Sequence, residues 1–286
     1  MDISIGVIAY NNEDTIGSLL ETILNQKTKV VNIKEIVVVS SGSIDKTNEI
    51  VKNFCEKNRK IKLVIQKRRE GKYSAINEFL KVAKYNILVL ESADTIPKND
   101  AIENLCKPLN NKKIGIVASH PVPKKSNKNY LGYVVKLQWL LHHKISLEKP
   151  KFGELIAFRN LFKKIKNTAV DEEHIAMLIQ NSGFKGVYAQ NAIVYNFGPE
   201  TVSDFLKQRR RIYCGHLELK KKNNYKTPTI GNFYMLKILL KEIKHSKVFP
   251  VTLAILLEGY GRVLGLYDYY TNKKHYIWEV VERTKK

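Results

Sequence analysis

The chain has 286 residues, 44% hydrophobic and 27% charged, with 49 Lys and Arg against 27 Asp and Glu and a formal net charge of +22. This apolar content excludes wholesale disorder and suffices for one large core or two modest ones. The positive excess favours partners that carry phosphate, whether nucleotide, nucleic acid or an anionic membrane surface, and does not choose among them.

Residues 3–9 read as a short apolar strand, and no basic stretch precedes them, so a signal peptide is not expected. Ile16, Leu19, Leu20, Ile23 and Leu24 then share one face of a helix. Residues 35–39 are apolar at nearly every position, as in a strand covered on both faces. A second helical stripe follows at Thr47, Ile50, Val51, Phe54 and Cys55, a strand at 62–65, and a third stripe at Ile76, Phe79, Leu80 and Ala83. Strands at 87–90 and 114–118 complete the alternation. Strand–helix alternation implies a mostly parallel sheet with right-handed crossovers, whose ligands sit beyond the carboxyl ends of the strands. Three polar stretches fall at such ends: Tyr10-Asn11-Asn12-Glu13, Ser40-Ser41-Gly42-Ser43 and Glu91-Ser92-Ala93-Asp94.

After residue 120 the rhythm changes. Residues 129–148 predict a helix and 152–159 a strand, followed by a helix that Gly183 ends and two short strands. A basic helix begins at Thr201 or Ser203, and the tail from Thr229 reads as two helices joined by a lysine-rich stretch at 244–247. The first of these carries Leu236, Leu239, Leu240 and Ile243 on one face. Glu258 and Arg262 interrupt the apolar stretch 248–267, which is therefore not read as a membrane span. The expected organisation is 1–120, a nucleotide-binding half; 121–225, an acceptor and catalytic half; and 226–286, a helical extension. Cys55, Cys106 and Cys214 form no CxxC pair, and His142, His143 and His245 have no ligand spacing, so neither a disulfide framework nor a zinc site is expected.

The residues leave the chemistry open. The Gly turn at 40–43 is either an ordinary strand-to-helix turn or a cradle for ribose or phosphate. Arg69, Gly71 and Lys72 suit a phosphate or plain solvation. Asp94 lies where a ligand to Mg²⁺ or Mn²⁺ belongs, or it caps a turn. Asp171, Glu172 and Glu173 favour a helix start by the dipole, or one of them removes a proton from a hydroxyl. The run 207–216 suits RNA, lipid headgroups or a pyrophosphate.

In their order along the chain, "AYNNEDTIGSLL", "VSSGSIDKT", "GKYSAIN", "ESADTIP", "DEE" ahead of a Gly-ended helix, "GPET" and "QRRRI" resemble the family 2 glycosyltransferases, of the non-processive type. The resemblance covers about three quarters of the chain. It implies an α/β, Rossmann-like GT-A fold with a mostly parallel sheet and flanking helices, to which the C-terminal residues add a helical extension. It further implies an inverting enzyme that moves one sugar from a nucleotide-sugar donor to a sugar, glycan or lipid-linked acceptor. By that resemblance Ala9, Tyr10, Asn11 and Glu13 cup the nucleotide, and Ser40 and Ser41 stand where an acidic pair is usual. Lys72 matches a position near the diphosphate, and Ser92 and Ala93 join the nucleotide-binding set. The Asp-x-Asp metal motif falls on Ser92 and Asp94, so only Asp94 remains as a ligand for Mn²⁺ or Mg²⁺, and strand parity argues against Glu91 as a substitute. Glu172 matches the base and Asp171 its neighbour, with Glu173 as the fallback. Gln208 and Arg211 match the phosphate and acceptor side, where Ile212 replaces a Trp typical of polymerising members. Alternatives are a polyprenyl-phosphate glycosyltransferase, an inactive glycosyltransferase-like binding protein, and, ranked last for want of a recognised module, a nucleic-acid-binding protein. The expected place is the cytoplasm, with the extension either closing over the enzyme or lying on the inner face of the cell membrane.

Overall fold

The computed structural model describes residues 1–124, 129–229 and 248–278. The chain forms two compact units: 1–122 with 152–167 and 171–196, and 123–151 with 168–170 and 197–286.

The first unit is built on an eight-stranded sheet. Its strands are β1 Asp2–Ala9, β2 Asn32–Ser41, β3 Ile61–Gln66, β4 Ile87–Ser92, β5 Thr95–Pro97, β6 Ile114–Pro123, β7 Leu155–Arg159 and β8 Lys185–Asn196. The spatial order is β3-β2-β1-β4-β7-β6-β8-β5. β1 pairs parallel with β2 and β4, and β2 pairs parallel with β3. The helices that return the chain are α1 Ile16–Leu24, α2 Thr47–Lys57, α3 Lys72–Val82 and α4 Ala101–Cys106, with α6 Asp171–Asn181 later. In α1 the stripe Ile16, Leu19, Leu20 and Ile23 is fully buried, which is why an amphipathic nine-residue segment holds as a helix. α3 lies against β1 so closely that a Cβ on Gly6 would sit 2.6 Å from the Phe79 ring.

Two expectations change. β6 does not extend the parallel set: β7 enters antiparallel between β4 and β6, so the sheet is parallel on one side and antiparallel on the other. Residues 185–196 form one twelve-residue strand where two short ones were expected, with β5 added antiparallel at its edge. A long β8 needs Gly186, whose Cβ would meet the Phe152 ring at 2.6 Å.

The second unit is helical, with α5 Tyr130–Glu148, α7 Val202–Asn223 and α8 Val248–Tyr270. Asn129 caps α5 by accepting from Gly132 N, and Thr201 rather than Ser203 caps α7, its hydroxyl accepting from Asp204 N. α7 ends on Asn224 in the left-handed conformation (φ 53°), with Lys220–Lys222 in the last turn, where cations favour the dipole. α8 packs on α7 through its glycines: a Cβ at Gly265 would lie 2.6 Å from Arg210 O. Glu258 and Arg262, which break the apolar pattern in sequence, pair with each other at 2.8 Å, and Glu258 also takes Arg209 at 3.3 Å. Asp268, fully buried, binds Arg210 and, at 2.7 Å, His275. The segment Phe249–Tyr270 is long and apolar enough to cross a membrane, by length and composition only, and little of it is buried. The predicted face at Leu236, Leu239, Leu240 and Ile243, the stretch 244–247 and His245 lie outside the described residues.

Candidate functional site

Parallel pairing brings the three predicted polar stretches to one end of the sheet, since Ala9 is registered with Ser40 and Ile8 with Ser92. The loops after β1 and β2 are then laced together. Asn11, at φ 50°, donates from its N–H to Ser43 Oγ (3.1 Å) and accepts from Ile44 N at Oδ1 (3.0 Å). Asn12 N donates to Thr47 Oγ1 at 2.7 Å. Glu13 accepts from Lys46 N, while its own N–H donates to Asp45 Oδ2. Burial would raise the Asp45 carboxyl, but bonds from the Thr47 side chain and the Thr47 and Glu13 amides hold it below the usual range. The Arg69 guanidinium stacks 4.2 Å over the Tyr10 ring. Ser40 Oγ bonds Ser43 Oγ at 2.9 Å, whereas Ser41 Oγ is buried and has no hydrogen-bond partner among the described residues. Ala93 is held on both sides: its N–H donates to Ile8 O, and its carbonyl accepts from Thr15 Oγ1.

Lys72 joins these strand ends to the predicted base. As the first residue of α3, after Gly71 at φ 98°, it donates from Nζ to Ser92 Oγ (2.8 Å) and to Glu172 Oε1 (2.5 Å). Both partners of the ion pair are about nine-tenths buried, at 10% side-chain exposure each. Burial alone would lower the Lys72 ammonium; the carboxylates of Glu172, Asp171 and Glu154 outweigh it and hold the lysine above its ordinary range. Asp171, Glu172 and Glu173 all lie buried in the first turn of α6, where the helix dipole favours them. They do different things. Glu173 accepts from Phe152 N, a backbone support, while Glu172 faces Lys72.

The antiparallel strand contributes a residue that sequence reading missed. Glu154 immediately precedes β7 at φ 57°, a conformation costly for a non-glycine side chain. Burial first, then the Asp94 charge, pushes its carboxyl up to about 7, with Lys72 and an Asn196 side-chain bond opposing. The only hint in sequence is a lone charge opening the otherwise apolar run "ELIAF". Glu91 is 1% exposed and bonded to the Thr95 hydroxyl, and burial raises its carboxyl well above the usual carboxylate range.

In the second unit, Arg211 donates to Ala169 O (2.5 Å), and its guanidinium lies 3.6 Å over the Trp278 ring. Gln208 lies one turn earlier on α7, partly exposed. Among the described residues no group of three His, Cys, Asp or Glu side chains could hold a metal ion alone. Asp94 with one further carboxylate offers hard oxygen donors of the kind that bind Mg²⁺ or Mn²⁺ jointly with a diphosphate, so the residues fit a cation shared with a nucleotide and not a cage made by protein alone.

Residues 4–181 match the profile described as "Glycosyl transferase family 2". A poly-beta-1,6-N-acetyl-D-glucosamine synthase of Staphylococcus aureus (strain MSSA476) is 26% identical over 251 residues, covering 82% of this chain but 59% of its own length. The chain thus spans less than two thirds of the curated relative it matches. The mannosyltransferase PcManGT of Pyrobaculum calidifontis, solved with GDP-Man and Mn²⁺, superposes with a TM-score of 0.70 at 19% identity, covering 95% of this chain and 88% of that one. S. aureus TarS 1-349, solved with UDP-GlcNAc, gives 0.52 at 16% identity, covering 96% and 91%. At those identities the likeness is one of fold.

Proposed function

The chain belongs to glycosyl transferase family 2, and from that membership we propose that it is an inverting, non-processive glycosyltransferase that moves one sugar from a nucleotide donor to an acceptor hydroxyl. The observation that carries this reading is the Lys72–Glu172 pair at the carboxyl ends of β1 and β4. Glu172 takes the proton of the acceptor hydroxyl, whose oxygen attacks the anomeric carbon as the bond to the diphosphate oxygen breaks on the opposite face. Lys72 balances charge on the departing diphosphate. Tyr10, Asn11 and the loop after β2 hold the nucleoside. A divalent cation, when bound with the nucleotide at Asp94, supplies further stabilisation of the leaving charge.

A hydroxyl acceptor is favoured over a phosphate one because an acceptor already ionised at neutral pH needs no base, and a buried carboxylate trio stands at the start of α6. The exposed face of α8 favours an acceptor on a lipid. Phe249, Leu256, Tyr260, Val263, Tyr267 and Tyr270 recur at spacings of three, four and seven, each more than half exposed. An aromatic-rich apolar stripe on a chain of charge +22 suits an anionic membrane surface.

The test is a thermal-shift titration with UDP, GDP, dTDP and CDP, each with and without Mn²⁺ or Mg²⁺, on wild type and Asp94→Asn. Binding to the native state alone raises the melting midpoint by mass action. Stabilisation by one nucleotide that depends on metal and is lost in Asp94→Asn is expected. No shift under any condition would favour a protein without donor binding.

A further inference from the structure

Antiparallel register offers a replacement for the acid that position 92 lacks. Glu91 is paired opposite Leu155, the first residue of β7. The registered ladder ends at that pair, and the next residues beyond it on the two strands are Ser92 and Glu154. Directly opposed residues in an antiparallel pair point to the same face, and adjacent residues in a strand point to opposite faces. Glu91 and Leu155 therefore share one face, on which Glu91 is buried against Thr95. Ser92 is on the other, where its hydroxyl accepts from Lys72. Glu154 has to leave extended geometry, at φ 57°, just where the ladder ends. Its carboxyl feels the charges of Asp94, Lys72 and Glu172 and bonds the Asn196 side chain.

We infer that Glu154, reaching across from the neighbouring strand, is the second carboxylate for a divalent cation that Asp94 holds with the donor diphosphate, in place of the acid absent at Ser92. The inference rests on reading this end of the sheet as the diphosphate site. It assigns a metal-binding role that linear motif spacing misses, because only the pairing of β4 with β7 brings the ends of these two segments together. Two protein carboxylates plus phosphate oxygens and water make a suitable set for Mg²⁺ or Mn²⁺.

The experiment measures Mn²⁺ affinity directly, by the electron paramagnetic resonance signal of free Mn²⁺, in the presence of UDP or GDP. Nucleotide binding without metal is followed in parallel. Wild type, Glu154→Gln, Asp94→Asn, and Glu154→Gln combined with Ser92→Asp are compared. Glu154→Gln is expected to weaken Mn²⁺ binding at least tenfold while leaving metal-free nucleotide binding intact, which also shows that the variant folds. Adding Ser92→Asp is expected to recover most of the loss, because it places a carboxylate two residues before Asp94 at the end of β4. Unchanged Mn²⁺ affinity in Glu154→Gln, with nucleotide still bound, would overturn the inference and spare the diphosphate reading. Failure of wild type to bind any nucleotide would overturn both.

Discussion

Lys72 Nζ lies 2.5 Å from Glu172 Oε1, tying the first residue of α3 to the first turn of α6. The cation proposed to balance the diphosphate and the carboxylate proposed as base are thus paired with each other. Glu172→Gln keeps an oxygen acceptor for Lys72 but removes the base. Transfer should fall by about 10²–10⁴-fold, with the donor KM little changed. Lys72→Met should instead raise the donor KM. Steady-state kinetics on both variants separates the roles, and a kcat for Glu172→Gln within threefold of wild type would reject the base assignment.

Gly42 holds the turn after β2 at φ 72°, and a Cβ there would lie 2.6 Å from the backbone carbon of Arg68. A side chain meets both left-handed strain and immovable backbone. Gly42→Ala should therefore cost about 2–4 kcal/mol, combining the left-handed penalty with overpacking. Urea denaturation would measure it, the expected sign being a lower midpoint with an unchanged slope. A midpoint equal to wild type would mean that the turn rearranges freely.

Acid should weaken the second unit in two stages. His216 is buried, and burial together with Lys151, Arg209, Arg262 and Arg211 drives its pKa well below the ordinary value. Above about pH 6.5 neither state is protonated there; below it the unfolded chain gains a proton that the folded chain refuses, so stability falls. Burial would raise Asp268, yet bonds from Arg210 and His275 hold it low. Its ionised form contributes stability above about pH 4, and that contribution is lost as pH falls through the folded value. Stability curves against pH should lose the upper stage in His216→Leu and the lower one in Asp268→Asn. The latter variant should also lose about 3 kcal/mol at neutral pH from the broken buried pair.

Leu256→Glu with Val263→Glu places two carboxylates on the exposed stripe of α8, at positions 64% and 62% exposed. Folding stability should change by less than about 0.5 kcal/mol. Co-sedimentation with vesicles rich in anionic lipid should drop severalfold relative to wild type. Equal sedimentation of the two proteins would remove the membrane from the account of this face.

What the sequence discloses depends on how local the physics is. The stripe at Ile16, Leu19, Leu20 and Ile23 and the apolar run of β2 are periodic within one element, so strands β1 to β4 and helices α1 to α3 were legible. Thr95–Pro97 is too short to show a period and carries a proline suited to an edge, so β5 was not. The antiparallel entry of β7 depends on pairing between distant segments. For the same reason a family pattern could propose Asp94 and Glu172, whereas Glu154, whose place depends on the pairing of β7 with β4, could be proposed only from the structure. The division of labour between Glu172 and Glu173 is set by which of them meets Lys72 and which meets Phe152 N, a matter of helix phase.

The insertion of β7 between β4 and β6 also has a meaning for the chain as it is made. Ile87–Ser92 leaves the ribosome well before Leu155–Arg159, and until then one edge of β4 exposes its amides and carbonyls with no neighbour. β6 waits for the same partner, and β5 waits for β8, so the sheet is complete only once Asn196 has emerged. Unpaired edges of apolar strands invite association with other chains. The nascent protein therefore passes through a sticky interval, and its yield on overexpression should improve when synthesis is slowed or a holding chaperone is raised, with no change in the sequence.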